Sequence, residues 1–98
     1  MTSAMRVKLL RLAGVHIGKY CFIGHHVLFD DLYPENIYIG DGTTITTGTK
    51  ILTHFYSPKI KDYEVGEVRI GRHCFIGLDV LIVKPVTIGD HVVVGGGG

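Results

Sequence analysis

The sequence predicts an all-β fold: a parallel β-helix of very short strands wound into a narrow prism, preceded by one short helix. Three observations carry this. Eleven apolar residues recur at a spacing of six in three runs: Ile17, Ile23 and Phe29; Ile39, Ile45 and Ile51; then Ile70, Ile76, Ile82, Ile88 and Val94. Gly follows directly after many of them, as in Ile17-Gly18, Ile23-Gly24, Ile39-Gly40, Ile70-Gly71 and Ile76-Gly77. A period of six fits neither a helix nor an isolated strand. It fits a chain that forms a short strand, turns a corner and repeats, with the apolar residues filling the prism. The composition agrees, since fourteen Gly and no Trp in 98 residues suit a β-structure full of corners.

The elements follow in order. Residues 5–13 place Val7, Leu9, Leu10 and Leu12 loosely on one face, and Gly14 terminates the predicted helix. Residues 1–14 therefore form a helical cap and 15–98 the β-helix. Two excursions break the repeat. Asp30 to Asn36 shifts the register by four residues between Phe29 and Ile39, and the polar segment 55–67 lies between Ile51 and Ile70. Three hexads close one triangular coil, so residues eighteen apart stack at roughly the 4.8 Å strand spacing, and about five coils are expected. The helix covers one open end of the solenoid. At the other end the pattern stops at Gly97-Gly98, so the sequence predicts a chain truncated in mid-repeat.

Composition narrows the function. A net charge of +1 offers no basic stripe for nucleic acid, and the Arg and Lys of residues 6–11 read as a solvated helix face. No apolar run approaches membrane-spanning length and no signal-like segment leads the chain, so a cytoplasmic location is expected. Cys21 and Cys74 each stand four places after a repeat Ile, the slot held elsewhere by Val27, Thr43, Thr49, Val80, Val86 and Val92. They read as small core-side residues rather than a disulfide or a catalytic thiol.

Three segments, 16–31 (HIGKYCFIGHHVLFDD), 51–54 (ILTH) and 68–95 (VRIGRHCFIGLDVLIVKPVTIGDHVVVG), resemble the left-handed β-helix hexapeptide-repeat acyltransferases, in particular their sugar O-acetyltransferase branch. The resemblance runs from about Gly14 to the C-terminus. It implies a left-handed parallel β-helix, a homotrimer, and acetyl-coenzyme A as acyl donor in a cleft between neighbouring prisms. Thr53-His54, the 55–67 loop and IGRHCFIG occur in the family's order, which implies His54 as the catalytic base. Histidine suits that task because its pKa lies near neutrality.

The same resemblance implies that Asp31 and the place of His26 face the acceptor sugar, although the family has Asn at the latter; Asp30 is a further candidate because a carboxylate can accept hydrogen bonds from sugar hydroxyls. For Asp30 and Asp31 an alternative is turn chemistry before Pro34. Phe75, Gly77, Leu78 and Gly95 are the expected coenzyme contacts, with an N–H of Gly77 or Leu78 as a candidate oxyanion donor. Lys84-Pro85 replaces the family's usual Pro-Gly corner. No metal is expected. A zinc enzyme of the γ-carbonic-anhydrase kind is the alternative, with His73 and His91 on one external column that His54 joins if the loop adds one residue to a full turn. A non-catalytic β-helix fragment is a third reading. The acceptor itself is not specified.

Overall fold

The computed structural model describes residues 2–83 and 85–95; Lys84 and the Gly97-Gly98 end lie outside the described residues. The chain opens with α1, Ser3–Ala13. Thr2 caps it by accepting a 3.1 Å hydrogen bond from the Met5 amide. Gly14 ends it at φ 114°, where its N–H reaches the Arg11 carbonyl and Val15 N–H reaches that of Leu10. A left-handed residue there favours glycine.

The rest is a stack of triangular coils. The first comprises β1 (His16–Ile17), β2 (Phe22–Ile23) and β3 (Leu28–Phe29). The second comprises β4 (Ile37–Ile39), β5 (Thr44–Ile45) and β6 (Lys50–Leu52). A hairpin of β7 (His54–Ser57) and β8 (Asp62–Val65) intervenes before the third, β9 (Val68–Ile70), β10 (Phe75–Ile76) and β11 (Leu81–Val83). Two sides of a fourth follow, β12 (Val86–Ile88) and β13 (Val93–Val94). Strands of successive coils pair in parallel to give three sheets: β1-β4-β9-β12, β2-β5-β10-β13 and β3-β6-β11. This is the architecture of the left-handed β-helix. The described residues complete three coils and part of a fourth rather than about five, because the two excursions consume residues that the six-residue count assigns to strands.

Register follows the apolar pattern. Ile17, Ile39, Ile70 and Ile88 stack in one column, Ile23, Ile45, Ile76 and Val94 in a second, and Phe29, Ile51 and Ile82 in the third. Most of these side chains are buried and form the core. The small-residue slot lines it and also bonds. Cys21 Sγ donates to the Gly40 carbonyl, Thr43 Oγ1 to that of Gly71 and Cys74 Sγ to that of Gly89, each one coil away. Thr49 does the same to Gly77. Both cysteines are free thiols.

Two of the three corners use left-handed residues: Tyr20, Gly42, His73 and His91 where the first sheet meets the second, and His26, Gly48 and Asp79 where the second meets the third. Such positions are uncommon for residues with a side chain, His and Asp among the better tolerated. The glycine after the repeat Ile answers a different need. A Cβ on Gly40 would lie 2.6 Å from the Gly71 carbonyl carbon, too close for any side chain without separating two coils.

The helix shields the edge of the first coil. Arg6 Nε donates to the Ile23 carbonyl, Arg11 to those of Ile17 and Gly18, and Ser3 Oγ accepts from Ile23 N–H. The basic cluster is therefore not a merely solvated face: two of its side chains satisfy strand groups that no neighbouring coil meets. His16, unassigned by pattern, stacks 4.3 Å from the ring of Tyr38, over which Arg69 lies at 4.0 Å.

Substituting Gly40→Ala is expected to destabilise the fold by at least 1–2 kcal/mol, whereas Gly89→Ala, whose Cβ meets nothing within 4 Å, should leave it unchanged. Chemical denaturation of both variants checks this; equal stabilities would contradict the close-approach explanation.

Candidate functional site

The two excursions leave the prism at the same corner, after β3 and after β6, and therefore stack on each other. Asp30 directly follows β3, and the carboxylate turns inward, its side chain fully buried. Oδ1 accepts from the amides of Leu32 and Tyr33, both at 2.9 Å, which bends the chain into the 3-10 turn Pro34–Asn36. Oδ2 accepts from Thr53 N–H at 2.8 Å and contacts His54 Nδ1 at 2.5 Å. Burial alone would raise the pKa of Asp30, but the amides of Tyr33 and Thr53, the His54 ring and the Leu32 amide outweigh it. The group is held well below the usual carboxylate range.

His54 opens β7 and is largely covered. A carboxylate only accepts, so Nδ1 carries the proton and Nε2 of the neutral ring is the basic nitrogen. The hairpin that holds it pairs His54 with Val65, Phe55 with Glu64, Tyr56 with Tyr63 and Ser57 with Asp62. The segment is thus an ordered strand pair rather than an open loop. Its base is closed by Gly66 N–H on the Thr53 carbonyl and by Asn36 Nδ2 on the Gly66 carbonyl. Tyr33 and Tyr63 flank the imidazole, their ring centroids 5.8 and 5.7 Å from it.

The remaining residues singled out in the sequence lie elsewhere. Asp31 is exposed beside the dyad. Asp30, expected to face an acceptor, directs its carboxylate to the protein instead, so the turn role and a role beside His54 belong to one side chain. His26 stands at the next corner of the triangle, between β2 and β3, in a left-handed conformation. Leu78 lies at that corner too, with Phe75 on the outer face of β10, both exposed; exposed Gly95 follows β13. Gly77 is buried, and its N–H donates to the Val94 carbonyl at 2.8 Å. Of the two candidate oxyanion donors that amide is already engaged.

His54 does not join the column of His73 and His91. Those two rings stack 5.3 Å apart at a third corner, because the hairpin adds thirteen residues to one hexad rather than one to a full turn. Among the described residues no group of three or more His, Cys, Asp or Glu could hold a metal ion. No helix there is long and apolar enough to cross a membrane.

The Asp30–His54 contact was not anticipated from sequence, although the signal was present. Phe29 stacks on Ile51 at a separation of twenty-two, eighteen plus the four-residue insertion, which carries Asp30 to the level of Leu52, beside Thr53 and His54.

Asp30→Asn should lower stability by about 2–3 kcal/mol at pH 7, since it replaces a buried, multiply bonded carboxylate. Because the folded-state pKa is depressed, the stabilisation is complete above the ordinary value of 3.8 and fades as pH falls below it. Wild type and variant should therefore converge in acid; a gap of constant size from pH 7 to pH 3 would contradict this account.

Residues 67–97 match the family model described as "Hexapeptide repeat of succinyl-transferase". The "Putative acetyltransferase YvoF" of Bacillus subtilis (strain 168) is 38% identical over 81 residues, covering 83% of this chain and 46% of that protein. The "Bifunctional protein GlmU" of Cereibacter sphaeroides is 32% identical over 89 residues, 85% of this chain and 18% of its own length. That of Campylobacter concisus (strain 13826) is 32% identical over 91 residues, 88% and 20% respectively. The chain thus spans less than half the length of these relatives. No solved structure gives a significant match. The shared feature is the hexapeptide repeat, and this chain carries it.

Proposed function

We propose that this chain is an acyltransferase that moves an acetyl group from acetyl-coenzyme A to a hydroxyl of a sugar-like acceptor in a ternary complex, with His54 as general base. The observation that carries this reading is the buried Asp30 carboxylate on Nδ1 of His54, set where two excursions meet on a rigid prism. The description of the matching family model and the name of the Bacillus subtilis relative support the reaction class.

The chemistry follows from the dyad. Nε2 takes the proton of the acceptor hydroxyl as its oxygen attacks the thioester carbonyl. The tetrahedral intermediate collapses, the carbon–sulfur bond breaks, and the imidazolium returns the proton to the departing thiolate. Asp30 remains ionised throughout, fixing the ring and steadying its transient charge. Leu78 N–H is the better of the two candidate oxyanion donors, and exposed Asp31 is the acidic side chain offered to acceptor hydroxyls. On this reading Phe75 and Gly95 contact the coenzyme, and free acetyl-coenzyme A sets the reaction in the cytoplasm.

Those coenzyme contacts lie on the second sheet and at the corner after it, whereas His54 stands at the corner after the third sheet, so a single chain does not unite them. A homotrimer, with the corner that bears Leu78 turned toward a neighbour's His54, would. Exposed Phe22, Phe75 and Val93 on one sheet, and Leu28 and Leu81 on another, are apolar surface that such packing would cover.

His54→Ala is expected to reduce acetyl transfer by at least 10²-fold, with circular dichroism and sedimentation unchanged. Free-thiol release from acetyl-coenzyme A across an acceptor panel measures it; full activity in the variant would sink the assignment.

A further inference from the structure

Alternate residues of paired strands share a face, and direct cross-strand partners lie side by side. His54, Tyr56, Tyr63 and Val65 therefore occupy one face of the hairpin. The Tyr63 ring lies 5.7 Å from that of His54 and 5.7 Å from that of Tyr56, while Tyr33 meets the imidazole edge-on from the first excursion. These three tyrosines are 37%, 53% and 58% exposed for Tyr33, Tyr56 and Tyr63. The fold does not bury them: within β7 and β8 only Ser57 is buried.

We propose that Tyr63, with Tyr56 beside it and Tyr33 across the imidazole, forms a stacking platform for a hexopyranoside acceptor. The proposal rests on the acyl-transfer reading of His54 and names the acceptor class for that site. A pyranose offers a flat face of C–H bonds with positive hydrogens, matched to the negative face of an aromatic ring. Hydroxyls project from its rim. A ring laid on Tyr63 brings a rim hydroxyl toward the neighbouring imidazole, because one centroid-to-centroid step of 5.7 Å separates the two. An acyclic polyol carries the same hydroxyls without the flat face, and the platform discriminates against it.

Binding and turnover test the platform separately. In His54→Ala protein, saturation-transfer NMR with methyl β-D-glucopyranoside and methyl β-D-galactopyranoside should transfer magnetisation to ring C–H protons, and none to sorbitol. Adding Tyr63→Leu should weaken pyranoside binding about tenfold, while Tyr63→Phe retains it. With His54 intact, Tyr63→Leu should raise the acceptor KM by a similar factor and leave the acetyl-coenzyme A KM unchanged. Absence of pyranoside binding, equal binding in Tyr63→Leu, or equal losses in the Leu and Phe variants would overturn the platform. Pyranoside binding that depends on Tyr63, without any acetyl transfer, would support the platform and overturn the acyl-transfer reading. Transfer to pyranosides undiminished in Tyr63→Leu would do the reverse.

Discussion

Each coil must lie one strand spacing from the next along the whole prism, and the rest of the molecule is arranged around that constraint. The backbone of one coil bonds directly to the coil beside it, so a mismatch on one side of the triangle would break pairing on the other two. Apolar side chains can then stack only in straight columns, which is what Ile17, Ile39, Ile70 and Ile88 do. Where two corners touch, there is no room for a Cβ, as at Gly40 against Gly71. The Thr and Cys rungs beside the core satisfy carbonyls of the adjacent coil while remaining small enough to fit.

The same constraint decides where anything irregular can go. An insertion within a strand would shift every inward side chain outward, so extra residues are expelled at corners. Here both leave at one corner in consecutive coils, and the strand spacing that orders the core brings their first residues together. Asp30 belongs to one excursion and His54 to the other; their contact is a by-product of stacking. Once made, it ties the two excursions to each other and to the coil through Thr53.

The columns were legible in the sequence because a six-residue period is a property of neighbours along the chain. So were the helix stop at Gly14 and the positions of both excursions, since each is a local break in a local rule. The pairing of Asp30 with His54 depends instead on the sum of an insertion length and a stacking period, each a local count whose sum is not a local property. The work of Arg6 and Arg11 was hidden for a different reason. Nothing in a basic helix reveals that the strand edge beneath it needs donors. His73 and His91, paired by their spacing, and His26, placed by resemblance, show another limit: all three occupy left-handed corners, a conformation that composition alone does not disclose.

The hairpin joins the prism through a narrow base, Thr53 and Asn36 bonding to Gly66, and adds almost nothing to the buried core. Its strands can therefore vary in length and side chain without disturbing a single column. The stability of the coils and the surface beside His54 are thereby written in different parts of the chain. A lineage built on this scaffold is free to explore new surfaces beside the same imidazole through changes in thirteen residues, with the coils beneath indifferent to the outcome.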